Sequence, residues 1–224
     1  AAGLPAVAVS ATRENYNVFS TFESWVQMLR EVLGSSVDAA RITDYGQKIA
    51  ALVHERTKNI DENKKKRVLF LVQYDARRIV TSGSRFFGQF WCDAAAAINA
   101  AESISAENAN AVINIEQVYA WNPDVVFLTN FTQAQPADLW ENRLHDWSSV
   151  KAVQNKAVYK MPLGLYRSYT PSADSPLTLL WMAKTLYPDR FSDIDMTQET
   201  LTYYKELFGV DLDENAARSL FAVR

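Results

Sequence analysis

Ile115-Glu116-Gln117-Val118-Tyr119-Ala120-Trp121-Asn122-Pro123-Asp124-Val125-Val126-Phe127-Leu128-Thr129 carries a short helical pattern, a turn and an unbroken apolar run. Pro123 cannot continue a helix, and it disfavours helical backbone at Asn122. A helix over residues 115–120 therefore stops at Trp121-Asn122-Pro123-Asp124, where Asp124 can accept backbone amide bonds. The run VVFLT (125–129) has no polar alternation, which predicts a strand covered on both faces.

The same logic extends in both directions. VLFLVQ (68–73) predicts a second buried, parallel strand, followed by a loop over residues 74–85. Residues 158–161 predict a third strand. Between them, helices are expected at 86–101, where Ala94 to Ala97 permits close packing, and at 139–144. Further helices are expected at 176–186, begun by a proline in its first turn, and at 201–207 and 214–221. Upstream, residues 4–9 read as a short strand. Residues 19–33 read as a helix stopped by Gly34. Residues 37–63 read as one helix, spanning about 40 Å at 1.5 Å per residue. Strands alternating with helices after residue 67 argue an α/β lobe of three layers with a mainly parallel sheet.

Composition narrows the function. The 224 residues are 48% hydrophobic and 22% charged, as in a globular protein. A net charge of −3 leaves no basic footprint for nucleic acid, and Lys64-Lys65-Lys66-Arg67 reads as a solvated helix–strand junction. One cysteine and two histidines argue against a structural zinc site, and no cofactor is called for. No apolar run reaches the ~20 residues of a membrane helix. No Gly-x-Ser-x-Gly or Walker-type loop is present, so a catalytic reading has no anchor.

Three segments together resemble one family. The first is Ile115 to Val126, quoted above. The second is Trp147-Ser148-Ser149-Val150-Lys151-Ala152-Val153-Gln154-Asn155-Lys156-Ala157-Val158-Tyr159. The third is Pro171-Ser172-Ala173-Asp174-Ser175-Pro176-Leu177 with Trp181 and Tyr187-Pro188. Their order and spacing are similar to periplasmic substrate-binding proteins of ABC importers, in the bridging-helix class that takes iron-siderophores, haem, cobalamin or molybdate. The resemblance implies a remnant of an N-terminal lobe over 1–36, a bridging helix over 37–63 and a C-terminal α/β lobe over 64–224. A full member would carry roughly a hundred more residues before Ala1. It also implies a monomeric, periplasmic or lipid-anchored extracytoplasmic protein that delivers a small ligand, an iron complex or an oxyanion, to an ABC permease. Asp174 resembles the family's exposed carboxylate that docks on the permease. A capping carboxylate at a helix start is the alternative.

Ligands of open α/β sheets sit beyond the carboxyl ends of the strands. That places Tyr74, Ser84 and Arg85 after the first strand, Asn130 and Phe131 after the second, and Tyr166, Arg167 and Tyr169 after the third. Arginine suits anions and aromatic faces suit flat or greasy ligand parts. Ser82-Gly83-Ser84 before a helix is a candidate anion cradle. Arg77 and Arg78 also follow the first strand, but each alone reads slightly better as a surface partner of Asp75 than as a ligand contact. Two other readings stay open: a ligand-free interaction domain, and a fragment of a cofactor-handling α/β enzyme.

Overall fold

The computed structural model describes residues 6–12, 14–34 and 40–221. Asn17 opens α1 (Val18–Leu33) by accepting the Ser20 amide at 2.9 Å, and Gly34 closes it at φ +91°. Only Val18 and Thr21 of α1 are buried, while Leu29, Val32 and Leu33 face outward. Leu4 and Pro5 of the expected first strand lie outside the described residues. Residues 6–10 are exposed and form no strand, because no described segment offers them a ladder.

The long helix is α2 (Ala40–Thr57), about 27 Å at 1.5 Å per residue. Residues 37–39 lie outside the described ones, and the helix ends six residues earlier than expected. It lies along the lobe, burying Ile49 and Val53 against the helices named below. Arg56 clamps its end, holding Asp193 through two bonds of 2.6 and 2.8 Å and stacking over Phe191. Arg190 returns a bond to the Arg56 carbonyl at 2.7 Å.

The sheet is built from β1 (Arg67–Tyr74), β2 (Ile79–Thr81), β3 (Ile98–Asn99), β4 (Ala111–Ile113), β5 (Val125–Leu128) and β6 (Val158–Lys160). Its order is β4-β2-β1-β5-β6, with β1, β5 and β6 parallel. β2 turns back antiparallel along the end of β1, and β3 pairs parallel with its start, so two strands share one edge of β1. The segment 74–85 is therefore a hairpin and not a loop.

The helices complete two outer layers. Alternate strand residues feed two separate cores. Val68, Phe70, Val72, Val125 and Phe127 meet α2, α3 (Phe87–Ala94), α7 (Ser175–Leu186), α8 (Met196–Phe208) and α9 (Glu214–Phe221). Leu69, Leu71, Val126 and Leu128 meet α4 (Ile115–Trp121), α5 (Pro136–Trp140) and α6 (Lys151–Gln154). Each large apolar side chain so covered contributes about 1.5–3 kcal/mol, which is why a four-residue strand such as β5 holds. Ten of the twelve residues of α7 are buried, as expected for a helix enclosed on all sides.

Two expectations change here. The helix expected over 86–101 is only α3, because Ala96 adopts φ +54° and turns the chain back to place β3 beside β1. The buried Asn99 side chain secures that return by donating to the Ser82 carbonyl and Gln89 Oε1, each at 3.1 Å. Pairing with the central strand overrides alanine's helix propensity. The helix expected at 139–144 is α5, starting earlier at Pro136, and its first turn is closed by Asp138 accepting the Gln135 amide at 2.8 Å. The turn before β5 behaves as read: Asp124 accepts the Arg67 amide at 3.0 Å and the Lys151 ammonium at 3.0 Å.

Candidate functional site

Because β1, β5 and β6 are parallel, their C-terminal ends share one rim of the sheet, and the segments after β5 and β6 face one another there. Residues 161–174 form a loop that is closed from within. Ser168 Oγ donates to the Pro162 carbonyl, and the Thr170 amide donates to the Arg167 carbonyl at 3.0 Å. The Leu165 amide donates to Asp174 Oδ2. Gly164 sits at φ +59°, and a Cβ there would run into the Asp174 carboxylate.

This framework turns Leu163, Leu165 and Tyr166 outward, and Tyr166 is 62% exposed. Arg167 adopts φ +42°, a sparsely populated conformation for a side-chain-bearing residue. Its guanidinium lies over Phe131 at 4.7 Å and Tyr166 at 5.5 Å. Phe131, 40% exposed, meets the buried Tyr169 ring edge-on at 6.3 Å. Arg167 has no carboxylate partner among the described residues. The cluster is thus an unpaired cation on an aromatic platform, framed by exposed leucines. A groove of about 700 Å³ adjoins it along the open edge of β6, lined by Asn130, Trp140, Tyr159, Lys160 and Leu163.

The structure brings Phe131, Tyr166 and Arg167 together, with Asn130 at their side, where its Nδ2 donates to the Met161 carbonyl at 3.0 Å. Tyr169 lies beneath, wholly buried among Phe70, Phe86 and Phe87, and burial pushes its phenol pKa well up. It supports the platform and is not open to a ligand. Tyr74 is also core: its hydroxyl accepts the Trp147 indole N–H at 2.9 Å. Ser84 and Arg85 lie elsewhere, because β2 has already reversed the chain. The Ser84 amide and hydroxyl both donate to the Ile104 carbonyl, and Arg85 pairs with Glu107. Ser82 Oγ accepts the Gly88 amide at 2.9 Å, so the expected anion cradle is filled by its own chain. Arg77 and Arg78 flank Asp75, which accepts both of their amides.

Asp174 requires correction as a docking residue. Its side chain is wholly buried, taking the Leu165 amide on one oxygen and the Tyr204 hydroxyl on the other at 2.9 Å. Burial pushes its carboxyl pKa up, against the lowering effect of those two donors. A carboxylate so enclosed cannot reach an arginine on another protein. Nor does it cap α7 through its side chain. It moors the 161–174 loop to α8.

Lys160 is a further residue of this rim, marked by no sequence motif. Its ammonium donates to the carbonyls of Thr129, Thr132 and Ala134 at 3.1, 2.5 and 3.0 Å. The available signal was a lysine following two apolar strand positions, Val158-Tyr159-Lys160. No group of three or more His, Cys, Asp or Glu among the described residues is placed to hold a metal ion. No helix among them is long and apolar enough to cross a membrane.

The family profile described as periplasmic binding protein matches residues 1–163. The molybdate-binding protein MolA of Haemophilus influenzae is 31% identical over 110 residues, covering 47% of this chain and 30% of MolA. A periplasmic solute-binding protein from Veillonella parvula has a similar structure, with a TM-score of 0.82 and 24% identity, over 98% of this chain and 64% of that one. The molybdate-bound structure of MolA gives 0.72 and 21%, over 88% and 58% of the two chains. Helicobacter pylori CeuE with Ni(II) bound gives 0.69 and 23%, over 88% and 59%. The chain spans less than two thirds of each of these relatives. The matched family, MolA and the Veillonella parvula protein are binding proteins by name.

Proposed function

The chain belongs to the periplasmic binding protein family, and from that premise we propose that it is part of the solute-binding component of an ABC importer. In this reading it captures an anionic ligand outside the cytoplasm and hands it to a membrane permease. The observation that carries the ligand class is Arg167 lying over Phe131 and Tyr166, uncountered by any described carboxylate, at the rim beyond the parallel strands. A planar or greasy ligand with a negative charge suits this platform: the aromatic faces take its apolar surface and the guanidinium its anionic edge. A ferric siderophore or haem has that chemistry.

A bare oxyanion is the second reading, favoured by the 31% identity with MolA. Geometry favours it less, because the serine cradle at Ser82–Ser84 is already hydrogen-bonded within the chain. A calorimetric and thermal-shift panel of ferric catecholate and hydroxamate siderophores, haemin, cobalamin, molybdate and sulfate tests both, since a ligand that binds only the folded state raises Tm. Replacing Tyr166 and Arg167 together by alanine should weaken the bound ligand by roughly tenfold or more, because the exposed Tyr166 and the half-buried Arg167 supply the aromatic face and the cation of the platform. Unchanged affinity in that double variant removes the site assignment. A response to molybdate alone selects the second reading.

A further inference from the structure

We propose that Lys160 is the positioning residue of the ligand platform: it fixes the loop after β5 and thereby holds Phe131 beneath Arg167. The proposal rests on the binding role argued above. Lys160 closes β6, and its side chain crosses to the loop of the neighbouring strand, where three N–H donors meet three carbonyls, Thr129, Thr132 and Ala134. Those acceptors stand at the start, middle and end of the segment that carries Asn130 and Phe131.

Within that segment the Phe131 amide donates to Thr129 Oγ1 at 3.3 Å, and the Ala134 amide to Thr132 Oγ1 at 3.2 Å. Thr132 Oγ1 in turn donates to the Tyr74 carbonyl. Among the described residues the ammonium is the one charged group engaged in this net, and no described carboxylate pairs with it. A lysine committed wholly to carbonyls is an unusual use of a charge. Burial lowers its pKa, opposed by Asp138. With all three donors engaged, the residue has none left for a ligand. Its influence runs through the loop to the ring of Phe131, and from that ring to the guanidinium 4.7 Å above it.

The experiment compares Lys160→Met, Lys160→Arg, Phe131→Ala and the double variant Lys160→Met/Phe131→Ala. Hydrogen exchange on the full chain is read separately over residues 129–134 and 163–168. Lys160→Met should accelerate exchange in 129–134 by roughly tenfold, as a local opening that leaves the core protected. Lys160→Arg, which keeps donors in place, should restore part of that protection. Affinity is then measured for whichever of ferric catecholate siderophore, haemin or molybdate binds the unmodified chain. Lys160→Met should weaken it by about tenfold, and by less than about twofold when Phe131 is already alanine, because one effect acts through the other.

Unchanged exchange over 129–134 overturns the proposal. So does a full loss of affinity that persists in the Phe131→Ala background, which would make Lys160 a direct ligand contact. If no probe binds the unmodified chain, the ligand reading fails, while the exchange arm still decides the role of Lys160.

Discussion

Gly164→Ala isolates the contact that shapes the candidate site. Gly164 holds φ +59°, and a Cβ there would run into the Asp174 carboxylate. An alanine in the left-handed region costs about 1 kcal/mol in backbone strain alone. Its methyl also displaces the carboxylate from the Leu165 amide, and losing a hydrogen bond to a charged acceptor costs about 1.5–3 kcal/mol. The sum is about 3 kcal/mol. Gly209 supplies the control, because it sits at φ +65° with nothing within 4 Å of an added methyl. Gly209→Ala should cost only the strain, about 1 kcal/mol. Urea denaturation of both variants, with m unchanged, measures the difference. The sharper test is a cycle with Asp174→Ala. Once the carboxylate is gone, Gly164→Ala should fall to about 1 kcal/mol, a coupling of about 2 kcal/mol. Additivity of the two substitutions, or equal costs at 164 and 209, would refute the argument that the loop is moored by this contact.

Two further outcomes follow from the buried polar groups. Burial raises the Asp174 carboxyl pKa in the folded state, so ionising it costs more there than in the unfolded chain. Its contribution is therefore present below the ordinary aspartate range and is lost as pH rises through the raised folded value. The stability of the native chain relative to Asp174→Asn should fall with rising pH across that window and then level off; a rise in urea midpoint difference over the same window contradicts it. Trp147→Phe removes the indole donor from the Tyr74 hydroxyl inside the second core, and should cost about 2–3 kcal/mol by denaturation. Adding Tyr74→Phe should cost less than its value alone, since the hydroxyl it removes has already lost its indole donor.

The parts of the fold legible in the sequence were those set by local chemistry. VLFLVQ, VVFLT and the enclosed helix α7 announce themselves by unbroken apolar composition, and Pro123-Asp124 marks the turn before β5. β2, β3 and β4 have two or three residues each and exist because β1 or its neighbour offers them a ladder, a long-range cause that no local pattern displays. The same division runs through the site. Phe131, Tyr166 and Arg167 were reachable by counting residues past strand ends. Asp174 was not, because Tyr204, thirty residues later, and Gly164 decide its burial. Tyr74 and Tyr169 look in sequence like any tyrosine after a strand, and only their partners Trp147 and Phe70 show that they belong to the core.

The divided edge of β1 has a consequence for the order in which the chain can be completed. Its hydrogen bonds are owed to residues 79–81 and 98–99 on one side and to 125–128 on the other, and its first amide is taken by Asp124. A chain made from its N-terminus therefore holds the apolar run of β1 before that strand can be fully paired. Until β5 has been made, one whole side of VLFLVQ is an open template for other chains. The short partners β2 and β3 precede β5 in the chain and line only the other side of β1.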